Sequence, residues 1–189
     1  HGARNLTHAE KTMALQLLEL QRHAMLMYTS CGWFFDDLSG IETVQNLQFA
    51  GRTVQLAETF FGISLEAQLT NLLASAKSNS PDQGDGSQIY DRMVRPAKVD
   101  WKKVAAHYAV SSLFEDFPKE TTIYCYDAVL EDQQIFTAGR AKLAIGRIEL
   151  RSKVTLESQK LNFGVLHFGD HNVNGGVAEF VDDLTYQDI

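Results

Sequence analysis

The sequence predicts an α+β chain, with a helical bundle over residues 1–117 followed by an antiparallel β-sheet or sandwich region over residues 118–189. Three observations carry that class. Before Pro118, apolar residues recur at helical spacing, as Met13, Leu17, Leu20, Ala24 and Met27 do. From Lys119 onward, short segments rich in β-branched and aromatic residues replace that period. Those segments follow one another with no helical pattern between them. This favours antiparallel hairpins, because a parallel pair needs a long crossover.

The elements follow in order. Thr7 and Glu10 form a capping box that opens a helix over about residues 8–29. Ser39 and Glu42 form a second box. Its helix carries Ile41, Val44, Leu47, Val54, Leu56 and Phe60 to a stop at Gly62. Ser64 is placed to cap "SLEAQLTNLLASAK", and "SNSPDQGDGS" is dense in turn-forming residues and reads as a loop. "SQIYDRMV" is a short helix stopped before Pro96, and Asp100 caps "WKKVAAHYAVSSLFED", which Pro118 closes. The strands are "TTIYCYDAV", "QQIFTAG", "AKLAIGRIELRS", "KVTLESQ", "LNFGVLHFG" and "GGVAEFV". Turns are expected at Leu130–Asp132 and at Asn172–Gly176.

Composition narrows the function classes. With 44% hydrophobic and 22% charged residues the chain reads as an ordinary soluble globular protein. Its net charge of -7 speaks against a nucleic-acid partner, which needs a basic stripe to displace counterions from phosphates. The basic residues between Arg92 and Lys103 read as a solvated helix flank. Cys31 and Cys125 stand far apart, outside any Cys-x-x-Cys spacing, and are expected to be reduced, buried thiols. No apolar run approaches the roughly 20 residues of a membrane span, and "HGARNLTHAEK" lacks a secretory signal. No membrane partner and a cytoplasmic location are the expectation.

The stretch "YTSCGWFFDDLSGIE", Tyr28 to Glu42, places an aromatic cluster and two aspartates between two helices. Trp33, Phe34 and Phe35 are consecutive, so they cannot all enter one core, and at least one is expected near the surface. An exposed Trp beside carboxylates suits sugar recognition: the ring covers the apolar face of a pyranose while carboxylates accept its hydroxyls. The alternative is an aromatic plug at the end of the bundle.

The segments Arg22–Glu58 and Ile89–Phe114 resemble the uncharacterised domain that follows the catalytic domain in bacterial proteins similar to family 57 glycoside hydrolases. That resemblance implies a part of a longer protein, with a preceding catalytic domain of the same polypeptide and a glycan as its partners. It also implies sugar contact through "TSCGWFF", which resembles the family's Ser-Ser-Asp-Trp-type motif. Gly32 stands where that motif has an acid, so an acidic contact falls to Asp36 or Asp37. The substrate-binding residues expected are therefore Trp33, Phe34, Asp36 and Asp37. Retaining glycosidases need two carboxyl groups about 5 Å apart across the scissile bond, and adjacent aspartates do not supply that pair. No catalytic residue, cofactor or metal is expected.

Other motifs read more simply. His167 and His171 have an H-x3-H spacing, but a strand and turn there predict a hairpin with a partnered His167 rather than a metal site. His107 reads as a hydrogen-bonded core histidine, and "DQGDG" lacks the ligand series of a calcium loop. Two functions compete: an accessory carbohydrate-binding or substrate-positioning region, and a structural or interaction module that touches no ligand.

Overall fold

The computed structural model describes residues 4–181. Two units divide the chain, His1–Lys98 and Val99–Ile189. The change of period at Pro118 lies close to the first strand, whereas the units part before the last helix.

In the first unit, α1 (His8–Leu26) begins on the Thr7–Glu10 capping box, as its spacing predicts. A short α2 (Cys31–Phe34) follows, then α3 (Ile41–Phe61). α3 ends at Gly62, whose φ of 66° is left-handed and whose N–H donates to the Glu58 carbonyl at 2.9 Å. Glycine holds that conformation without steric cost. The second capping box does not form: Gly40 caps α3, and Ser39 turns its N–H and hydroxyl to Asp37 instead. Nor does Ser64 cap α4 (Glu66–Leu73). The Glu58 carboxylate reaches across and accepts from Leu65 N at 2.6 Å and Glu66 N at 2.9 Å, satisfying the orphan donors of that helix start.

Asp85 and Gln88 make a capping box for α5 (Gly86–Ile89), which widens into a π-turn over Tyr90–Val94 and a 3₁₀ turn around Pro96. Tyr90 is fully buried, and its hydroxyl donates to Glu66 Oε1 at 2.9 Å. Lys98 Nζ donates to the same oxygen at 2.7 Å. Burial alone would raise the Glu66 carboxyl, but the Lys98 and Tyr90 hydrogen bonds outweigh it and hold the group below its ordinary value.

The second unit opens with α6 (Trp101–Ser111), whose Lys103 N–H donates to the Asp100 cap at 2.8 Å. An antiparallel meander follows in the order β1 (Glu120–Ile123), β2 (Tyr126–Ala138), β3 (Ala141–Ser152), β4 (Ser158–Gly169) and β5 (Asn172–Glu179). The N-terminal helices and the five strands found among the described residues make the α+β class that the sequence predicts. α6 lays Val104, Ala105, Tyr108 and Ala109 on one sheet face, against Ala144, Ile148, Leu161 and Phe163. The period-two burial of β3, with Ala144, Gly146, Ile148 and Leu150 inside, is what a sheet covered on that face requires.

Three expected turns and strands are corrected. Leu130–Asp132 is a bulge within β2, where Glu131 is the extra residue in the pairing with β3. Asn172–Gly176 lies in β5, and the turn sits at Asp170 and His171, with Asp170 at φ 53°. "KVTLESQ" is mostly a loop, in which the Ser152 hydroxyl accepts from the N–H groups of Val154 and Thr155. Local hydroxyl-to-backbone bonding of this kind competes with a strand ladder. Among the described residues, no helix is long and apolar enough to cross a membrane.

Candidate functional site

The corner between α1 and α3 is held by side chains of α3. Asn46 Oδ1 accepts from Thr29 Oγ1 at 2.8 Å, and its Nδ2 donates to the carbonyls of Thr29 at 2.8 Å and Met27 at 3.2 Å. One turn earlier, buried Thr43 places its hydroxyl 3.0 Å from the Gly32 carbonyl and 3.1 Å from that of Asp37. Gly32 is required for this approach, because a Cβ there would collide with the Asn46 amide. Position 32 therefore has no room for a side chain.

Asp37 ties a distant loop to the same corner. Its Oδ2 accepts from the N–H and hydroxyl of Ser39, and its Oδ1 from Ser78 Oγ at 2.6 Å and Asn79 N at 2.9 Å. These bonds, the Ser39 hydroxyl first and the Ser78 hydroxyl next, hold the carboxyl well below the usual carboxylate range. Asn79 Nδ2 completes the tie by donating to the Asp36 carbonyl. Asp37 is thus occupied in positioning the corner, while the Asp36 side chain faces solvent.

The aromatic residues lie on the outside of this frame. Trp33 is 71% exposed and Phe34 75%, and Phe34 meets Phe35 edge-on with ring centroids 5.3 Å apart. Tyr28 and Ile41 flank them, also exposed. The four expected binding residues therefore share one corner, with Trp33, Phe34 and Asp36 outward and Asp37 turned to the frame.

The remaining candidates are more ordinary. His167 is buried at the end of β4 with Nε2 3.1 Å from the Asp170 carbonyl oxygen and its ring edge-on to Phe114, while His171 is exposed. Among the described residues no three His, Cys, Asp or Glu side chains gather as metal ligands. His107 is not a core histidine: it lies on the exposed side of α6, 5.5 Å from the Tyr124 ring. The thiols are not buried either; Cys31 heads α2 and Cys125 sits in the tight β1–β2 turn, both free and exposed. Sequence reasoning did not foresee a groove of about 330 Å³ between α6 and the β4–β5 ladder, lined by Ala106, Val110, Val165, Val173 and Val177. Its signal is the small residues Ala106 and Ala109 on the helix; Gly175 is required instead by its close approach to β4, where a Cβ would meet the Gly164 carbonyl oxygen at 2.6 Å.

No curated protein and no solved structure matches this chain. One family profile does, over residues 1–189, and the chain belongs to that family, described as a domain of unknown function (DUF3536).

Proposed function

We propose that this chain is a non-catalytic accessory region of a carbohydrate-active protein, and that it presents the Trp33 corner to a glycan. The observation that carries this reading is the exposure of the Trp33 ring, 71%, on a corner fixed by Asn46, Thr43 and Asp37. A ring that is already open and held by its backbone can cover a pyranose face with little ordering cost. Phe34 extends the wall, and Asp36 is the carboxylate free to accept hydroxyls. Asp37 acts through the frame. The reading takes a catalytic domain of the same polypeptide, similar to family 57 glycoside hydrolases, as the partner that supplies the reacting carboxylates. A cytoplasmic location belongs with it, since two free thiols, Cys31 and Cys125, suit a reducing compartment.

A second reading, a protein-docking module, is favoured by Ile41, 80% exposed at the start of α3, because an aliphatic side chain adds nothing to sugar stacking. Fluorescence separates the two. In a Trp101→Phe variant Trp33 is the remaining tryptophan, and α-1,4-glucan oligosaccharides should shift its emission saturably, with Ile41→Ser leaving the titration unchanged. No shift with any glycan, in the chain or in the longer polypeptide, would leave docking as the function.

A further inference from the structure

We propose that β5 is a self-complementary sheet edge through which two copies of this chain join their sheets. β5 ends the strand order, so one side of it has no neighbouring strand among the described residues. Phe180 N–H donates to the Lys160 carbonyl at 3.1 Å, continuing the register that pairs Leu161 with Glu179 and Val165 with Gly175. Hydrogen-bonded pairs alternate along an antiparallel ladder, so the N–H and C=O groups of Val173, Gly175, Val177 and Glu179 point away from β4. Val173 is 41% exposed, and the backbone around Gly175 and Gly176 is open.

The two edges of the sheet differ in how they are protected. β1 is four residues long, follows Pro118 and Lys119, and starts with Glu120, features that discourage strand addition. β5 is eight residues long and carries no charge or proline before Glu179. An unprotected edge of that length is a pairing surface.

The sequence of β5 selects a second copy as the occupant. An antiparallel two-fold pairing centred on Gly175 sets each Val173 opposite the Val177 of the other copy. It brings Glu179 to the end of the strand where the other copy carries His171. Gly175 falls on the axis, where the absence of a side chain removes any clash, and the outward groups complete roughly six backbone hydrogen bonds. Shifting the register by two residues sets Val173 against Glu179 in one direction and against Gly175 in the other, losing both valine pairs. The valine pairs lie on the α6 face, since their ladder partners Phe163 and His167 do, and so extend the floor of the groove beside that helix. An apolar cross-strand pair at each end of a closed two-fold contact is the arrangement that an isologous sheet interface uses.

Sedimentation equilibrium of the 189-residue chain tests this, together with concentration-dependent amide exchange. The wild type should dimerise at concentrations up to about 100 μM, and exchange at the amides of Val173, Gly175, Val177 and Glu179 should slow as the dimer forms. Val173→Lys should weaken the dimer at least roughly tenfold. Val173→Pro removes only an outward N–H and should do the same without changing the β4–β5 ladder. A wild type that stays monomeric overturns the proposal. So does a dimer that leaves those four amides unprotected, or one that both variants form as tightly as the wild type.

Discussion

Asn46→Ala should cost the protein about 2 kcal/mol, and the cost should be shared with Thr29. Asn46 makes three hydrogen bonds to the corner, at 2.8, 2.8 and 3.2 Å. A net worth of about 1 kcal/mol each gives about 3 kcal/mol, and the site is half-buried, so water recovers part of it. For a chain of this length that is a fall in melting temperature of about 4–8 °C. Thr29→Val removes one of the three bonds and should cost about 1 kcal/mol alone. In the double variant the Thr29 change should add almost nothing to the Asn46 loss. Urea unfolding of the four proteins measures the cycle. Additive costs, or an Asn46→Ala loss below about 0.5 kcal/mol, would show that the corner is held by something other than this amide.

Three further outcomes follow from the same geometry. Asp37 has a depressed carboxyl, so its contribution is present above the unfolded value, near about 4, and is lost as pH falls below that toward the folded value; thermal melts from pH 7 downward should show an acid loss that Asp37→Asn lacks. Tyr90→Phe removes a buried hydroxyl bonded to Glu66 and should cost about 1–2 kcal/mol by urea unfolding, with a neutral result excluding that bond as a structural contact. Asp100→Ala removes the α6 cap and should cost about 1 kcal/mol, with Asp100→Asn close to wild type; equal losses in the two would point to charge rather than capping.

Sequence spacing located the elements better than their ends. The Thr7–Glu10 box, the Gly62 stop and the Asp100 cap each depend on contacts within a few residues, and all form as read. Ser39 and Ser64 are equally good caps by local pattern, yet carboxylates that lie outside that pattern override them: Asp37, two residues before Ser39, takes its N–H and hydroxyl, and Glu58, on the preceding helix, caps α4 in place of Ser64. A capping pattern that looks only forward from the serine misses both, and the Ser78 and Asn79 bonds that fix the Asp37 carboxylate come from some forty positions on. The Leu130–Asp132 bulge reads as a turn in the sequence, since one extra residue in a strand resembles a turn until the partner strand is known. At the candidate site, three consecutive aromatic residues cannot share a core, and Trp33, Phe34 and Phe35 are all exposed. The different roles of Asp36 and Asp37 could not be read, because they are set by Ser78 and Asn79, some forty positions on.

Whether the Trp33 corner is a glycan wall is decided by Trp33→Ala, with glycan affinity of the longer polypeptide and melting temperature measured on the same protein. A Trp side chain offers about 150–250 Å² to burial, and with the residue 71% exposed the loss of what remains covered should cost only about 1–2 kcal/mol. A core Trp truncation costs about 3–5 kcal/mol. A glycan wall at Trp33 predicts a melting temperature lowered by no more than about 8 °C and an affinity for α-1,4-glucan oligosaccharides reduced at least about tenfold, with Trp33→Phe in between. A strongly destabilised fold with unchanged glycan affinity would contradict it, and would make the corner a plug rather than a wall.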